Sequence, residues 1–219
     1  MTQANYDAIV IGAGHNGLVA AAYLAKAGYK TLVLEQRDVV GGAAATEEIW
    51  PGFKVNTGAA DAGLFQDRIV DELDLSKHGL TFHESPVALF APQPDGSALT
   101  LWQDVQKSVA EIGRFSEHDA ACYPDFARQV SSLAQVFQAM MTLTPPDLME
   151  LGIGAMASWG RVGLQLKRLG NREMMEFMRV LPLAVHDYLD EWFEHDAIKG
   201  ALGADGITGS RQGPRGAGT

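Results

Sequence analysis

Gly12, Gly14 and Gly17 stand in the spacing G-x-G-x-x-G, with Ala13, His15 and Asn16 between them and Ala21 beyond. A loop of this kind serves to hold a phosphate. Gly12 permits a tight turn, and Gly14 lets the backbone approach a pyrophosphate with no Cβ in the way. Gly17 and Ala21 let a following helix lie close on a sheet. The unpaired N–H groups at the start of that helix then meet the anion with the positive end of the helix dipole. Glu35 lies about 20 residues further on, the place of the acidic group that accepts from ribose hydroxyls. Its carboxylate would repel a 2′-phosphate, which disfavours NADP. His15 is positioned either to bond a cofactor or to fill the loop.

The spacing has force only if the flanking elements are right. Ala8-Ile9-Val10-Ile11 is a continuous apolar run, the pattern of a strand buried on both faces of a parallel sheet. The Ala-rich residues 18–27 form a good helix, closed by Gly28. Residues 30–35 read as a second buried strand that ends on Glu35. Together these predict one right-handed βαβ unit for dinucleotide binding.

The residues after Glu35 choose between dinucleotides. Gln36 and Arg37 lead to a second glycine pair, Gly41-Gly42, followed by Ala43. Adjacent glycines let another loop approach the pyrophosphate from the opposite side. FAD proteins of the amine-oxidase and phytoene-desaturase type carry this feature, and nicotinamide dehydrogenases generally do not. The expected cofactor is FAD, held by Gly12, Ala13, Gly14, His15, Asn16, Gly17, Glu35, Gln36, Arg37, Gly41, Gly42 and Ala43. With Ala43-Ala44-Ala45-Thr46-Glu47-Glu48 and Pro51-Gly52-Phe53, the chain resembles the phytoene desaturase and carotenoid isomerase-like flavoproteins. Among them it is most similar to relatives named as pyridine nucleotide-disulfide oxidoreductase domain proteins. The resemblance is strongest over the first 60 residues or so, and returns at Gly213-Pro214-Arg215-Gly216-Ala217-Gly218-Thr219.

That resemblance implies an FAD-dependent oxidoreductase that desaturates or isomerises an apolar isoprenoid or polyene. It also implies a discontinuous flavin domain, of which this chain is the N-terminal portion. Amine-oxidase relatives place Arg after the glycine pair; Ala43 stands there instead. Phosphate contact is then expected from backbone N–H groups, with Arg37 the nearest cation. Glu47 reads as a loop residue. A single cysteine, Cys122, excludes an internal disulfide and the paired-thiol relay of flavin disulfide reductases.

The fold class expected is α/β, a Rossmann-like FAD-binding βαβ unit in an incomplete, discontinuous domain over residues 1–80. A mainly helical substrate domain with a β-hairpin is expected over residues 81–219. Residues 41–63 read as loop with at most short strands, and 67–75 as a short helix. Residues 87–91 and 98–102 form a hairpin through Pro94-Asp95-Gly96. Ser116-Glu117-His118-Asp119 resembles a capping box opening a helix to about Thr142. Pro145-Pro146-Asp147 starts another helix, and Pro182 interrupts a later one. Residues 200–219, with seven glycines, read as a loop.

Met140, Met141, Met149, Met156, Met174, Met175 and Met178 crowd the helical half with Trp159, Phe177 and Trp192. Ordinary helical core is the first reading; an adaptable tunnel for a long apolar substrate is the other. Residues 148–169 read as a solvated basic face, with peripheral membrane contact as the alternative. His186-Asp187 and His195-Asp196 are taken as surface pairs, and no metal site follows. The net charge of −10 and pI near 5.0 argue against nucleic acid. Without a secretory signal or an apolar run of about 18 residues, a cytoplasmic location is expected. An NAD-dependent dehydrogenase and a noncatalytic nucleotide-binding scaffold remain open as alternatives. Neither a catalytic residue nor the oligomeric state is named.

Overall fold

A computed structural model describes residues 5–59, 61–141, 143, 160, 163–164, 167, 170–209 and 211–219. The chain divides into two compact units, Met1–His83 and Glu84–Thr219. Pro145-Pro146-Asp147, Met149, Met156 and Trp159 lie outside the described residues, as does nearly all of 148–169.

In the first unit, β1 (Ala8–Ile11) pairs in parallel with β2 (Thr31–Leu34), Ala8 opposite Thr31 and Ile11 opposite Leu34. Helix α1 (His15–Lys26) connects them and buries Ala21. Gly17 allows that approach, since a Cβ there would collide with the Gly12 carbonyl. The expectation that β1 is buried on both faces is corrected: Ile9 is 59% and Ile11 87% exposed. The strand alternates half-buried and exposed residues, so only one face of the pair is covered.

A 3-10 turn at Gly42–Ala44 leads into an antiparallel hairpin, β3 (Thr46–Trp50) and β4 (Phe53–Asn56), turning at Pro51-Gly52. Helix α2 (Asp67–Glu72) is tied to α1 by the Tyr23 hydroxyl, which donates to Glu72 at 2.6 Å. Arg68 donates to the other Glu72 oxygen at 2.6 Å.

The second unit opens with the expected hairpin, β5 (Val87–Pro92) and β6 (Ala98–Trp102). Helix α3 (Val105–Ile112) starts on Asp104, whose carboxylate accepts from the Gln106 and Lys107 N–H groups. Ser108 is wholly buried and fixes α3 to β6, accepting from Trp102 N at 2.8 Å and donating to Trp102 O at 3.0 Å. Helix α4 (Glu117–Met141) follows, then α5 (Asn171–Val180), α6 (Val185–Asp190) and α7 (Asp196–Ile207). Pro182 does fall in the break between α5 and α6. Leu99, Leu101, Ile112, Tyr123, Phe126, Phe193 and Ile198 belong to the core, with the Phe126 and Phe193 rings edge-on and their centroids 4.9 Å apart.

Residues 200–207 are helical where loop was expected. One of their glycines serves packing: a Cβ on Gly206 would lie 2.7 Å from Val185, whereas Gly200 and Gly203 have room for one. Residues 211–219 turn back onto α6. Its His186 N–H donates to Pro214 O at 2.8 Å, and its Val185 N–H to Thr219 Oγ1 at 3.2 Å. These bonds satisfy donors that a helix start leaves unpaired.

Ser116 caps α4 as expected, accepting from the Asp119 N–H at 3.1 Å. The Asp119 side chain does not complete the capping box. Fully buried, it accepts from Glu194 N at 2.9 Å and His195 N at 3.0 Å, just before α7. Burial alone would raise its pKa, but those N–H groups, with His118 and Ser116, hold it below the ordinary aspartate value. Asp119→Ala should therefore destabilise the protein by about 1–3 kcal/mol, because it strands buried donors. Asp119→Asn, which keeps one acceptor, should cost less. Urea unfolding followed by tryptophan fluorescence checks this, and an unchanged Ala midpoint would remove Asp119 from the core argument.

Candidate functional site

The first unit brings the twelve candidate residues into one region around the C-terminal end of β1. Gly12 leaves the strand with φ +97°, and its N–H donates to Leu34 O at 2.7 Å, so the turn begins on the last bond of the sheet. Ala13 is buried. Gly14 stands at the N-cap of α1 and offers no side chain to its first turn. His15 and Asn16 occupy that turn and are exposed.

The second glycine pair lies directly against the first loop. Gly41 N–H donates to Ala13 O at 2.7 Å, and Gly14 and Gly41 form a parallel bridge. Gly42, at φ +57°, could carry no side chain, since an added Cβ would sit 2.8 Å from the Gly14 Cα. Ala43 is exposed within the 3-10 turn. On its other side Gly58 packs so close that a Cβ would come within 2.8 Å of the Ala43 carbonyl oxygen.

Glu35 is more committed than its sequence position suggests. One carboxylate oxygen accepts from Ala13 N at 2.7 Å, and the other from Gln36 N and Arg37 N, both at 2.9 Å. The Arg37 and Ala13 amides, with the Gln36 amide and the Arg37 charge, hold its pKa below the ordinary glutamate value against a smaller opposing effect of desolvation. A carboxylate has about four acceptor positions, so one further donor can still be taken.

One charged group differs from expectation, and another has a partner the sequence did not suggest. The Arg37 guanidinium is ion-paired with Glu47 through one of its nitrogens and is otherwise 46% exposed. Glu47 is a strand residue on β3, not a loop residue, and also accepts from Thr57 Oγ1 at 3.0 Å. The spacing of ten residues gave no helical or hairpin signal for that pair.

In the second unit Met141, Met175 and Met178 stand outside the core, at 56%, 66% and 60% exposed, whereas Phe177 beside them is buried. A groove of about 470 Å³ beside β5 and α7 is lined by Leu89, Phe90, Ala91, Ala197, Gly200 and Ala204, with no methionine among the described residues that line it. His186 pairs one helical turn away with Asp190 at 3.4 Å, and not with Asp187. His195, half-buried, caps α7 by accepting from Ala197 N at 3.2 Å. Sequence reasoning missed Asp119, whose partners lie 75 and 76 residues away.

Residues 10–61 match the family described as NAD(P)-binding Rossmann-like domain. The chain carries a Rossmann-like dinucleotide-binding domain. The match includes both glycine loops, Glu35 and the β3–β4 hairpin. The chain is also 35% identical over 222 aligned residues to the pyridine nucleotide-disulfide oxidoreductase domain-containing protein 2 of Rattus norvegicus, covering 95% of this chain and 38% of the relative. A limonene dehydrogenase polypeptide of Castellaniella defragrans is 37% identical over 64% of this chain and 26% of its own length. The hydroxyneurosporene desaturase of Rhodobacter capsulatus is 31% identical over 65% of this chain and 30% of its own. This chain thus spans well under half the length of the curated relatives it matches. Among the described residues, no helix is long and apolar enough to cross a membrane.

Gly42→Ala should separate the two loops and lower dinucleotide affinity at least about fivefold, since overpacking against backbone costs about 1–3 kcal/mol; a calorimetric titration checks it. Acid should loosen the same region. Because the folded pKa of Glu35 is lowered, its contribution is complete above the unfolded value near 4.5 and is lost as pH falls through the folded value. Exchange at the Ala13 amide should accelerate on acidification relative to unprotected amides, and Glu35→Gln should abolish that pH dependence.

Proposed function

We propose that the protein is an FAD-dependent oxidoreductase of an apolar isoprenoid or polyene substrate. The dinucleotide lies in residues 1–80, and the substrate is held by residues 81–219. The observation that carries this reading is the docking of Gly41 and Gly42 on Gly14, which leaves two backbone loops side by side without side chains between them. Such a cradle suits a pyrophosphate approached from both sides. The start of α1, where no side chain caps the first turn, supplies N–H groups and a positive dipole end for it. Glu35 retains acceptor capacity for a ribose hydroxyl while it steadies the loop through Ala13.

Gly12, Gly14, Gly17, Glu35, Gly41 and Gly42 are the residues proposed to hold FAD, with Ala13, His15, Asn16, Gln36, Arg37 and Ala43 around it. Bound there, FAD would supply two-electron chemistry through its isoalloxazine N5. Cys122, the lone cysteine of these 219 residues, cannot form a dithiol relay within them. Two relatives are named as a limonene dehydrogenase subunit and a hydroxyneurosporene desaturase, which supports an apolar substrate and its desaturation; isomerisation is the other outcome the resemblance implies. The activity is proposed for a protein of the relatives' length, with a discontinuous flavin domain and a cytoplasmic location.

An NAD-dependent dehydrogenase is the second reading, favoured by the description of the matching family. The two separate on the identity of the bound nucleotide. The full-length protein, expressed with ample flavin, should show a flavin visible spectrum and on denaturation release FAD without a covalent remnant. Release of NAD alone would establish the dehydrogenase, and no nucleotide at all a noncatalytic scaffold. The 219-residue chain should bind FAD more weakly than the full-length protein and turn over no substrate.

A further inference from the structure

Arg37 precedes the second glycine pair and Glu47 follows it, so their ion pair closes the base of the loop that carries Gly41, Gly42 and Ala43. Both ends of that closure are anchored again. The Arg37 N–H donates to Glu35 Oε1 at 2.9 Å, and Glu47 Oε2 accepts from Thr57 Oγ1 at 3.0 Å. One residue past Thr57, Gly58 packs against Ala43 at the outer side of the loop. The loop is therefore held at its base by charge and at its crown by contact with backbone on either side, Gly14 within and Gly58 without.

We infer that Arg37 and Glu47 are a positioning pair that keeps the second glycine loop docked on the first before any dinucleotide arrives. This deepens the FAD reading and rests on it for its functional consequence. In this role Arg37 acts on the cofactor through the loop. The argument is one of pre-organisation. A loop ordered in advance removes an entropic cost from binding, whereas a free loop must be ordered by the ligand. The two side chains are partly exposed, at 46% and 35%, so the effect of either is modest.

Gly41 provides a direct probe, because its N–H donates to Ala13 O only while the loops are docked. In nucleotide-free protein, Arg37→Met and Glu47→Gln should each speed exchange of the Gly41 amide by about two- to fivefold, the range expected of an exposed pair. The double variant should be no faster than the faster single variant, since the two act as one unit. Arg37→Lys should restore part of the protection. FAD affinity, measured by flavin fluorescence, should weaken by a similar factor in Arg37→Met and in Glu47→Gln.

Unchanged exchange at Gly41 in both single variants would overturn the inference, as would additive effects in the double variant. So would Glu47→Gln raising FAD affinity while Arg37→Met lowers it, which would assign Arg37 to the phosphate. A wild-type chain that binds no FAD, with the exchange pattern intact, would count against the FAD reading and leave the positioning pair standing.

Discussion

Gly14 and Gly42 come closer than two residues with side chains ever could, and the rest of the first unit is arranged around that approach. Gly41 bonds to Ala13, Ala13 bonds to Glu35, and Glu35 bonds to the chain that leads back toward Gly41. The result is a closed circuit of backbone donors and carboxylate acceptors around two loops. On the helix side, Gly17 brings α1 against the Gly12 carbonyl, so its first turn opens beside the same cradle.

The electrostatics follow from how the charges are spent. The protein is acidic overall, and Arg37, ahead of the second glycine pair, is ion-paired with Glu47. The oriented backbone dipoles around the two loops need no side chain to be ordered and are less easily screened than a mobile surface charge. The same device appears in the second unit for a structural end. Glu35 collects three backbone N–H groups near one another in the first unit, and Asp119 collects two before α7. In both, a carboxylate held below its ordinary pKa keeps a chain reversal in place at neutral pH.

The legible features were local. The βαβ unit, the hairpin at β5 and β6, the start of α4 and the break at Pro182 all have signals within a few residues: glycine spacing, alternation, a capping serine, a proline. Features that depend on distant partners were not legible. Composition alone makes Gly200, Gly203 and Gly206 look like loop residues; all three sit in a helix, and at Gly206 it is Val185 that needs the room. The commitments of Arg37, Glu47 and Asp119 share that origin, as each is decided by a residue brought near by the fold. Ile9 and Ile11 mark the opposite error, in which a continuous apolar run was read as burial although only one face of the strand is covered.

The reach of the Asp119 contacts, across 75 residues, has a kinetic meaning. Helices α3 and α4 and the hairpin before them can assemble through neighbours in sequence, but the bonds to Glu194 and His195 exist only when α6 and α7 have already arrived. Closing a loop of that length must be completed before those bonds return any energy. A bond that forms that late in folding would act mainly on how slowly the native unit comes apart, and less on how quickly it forms.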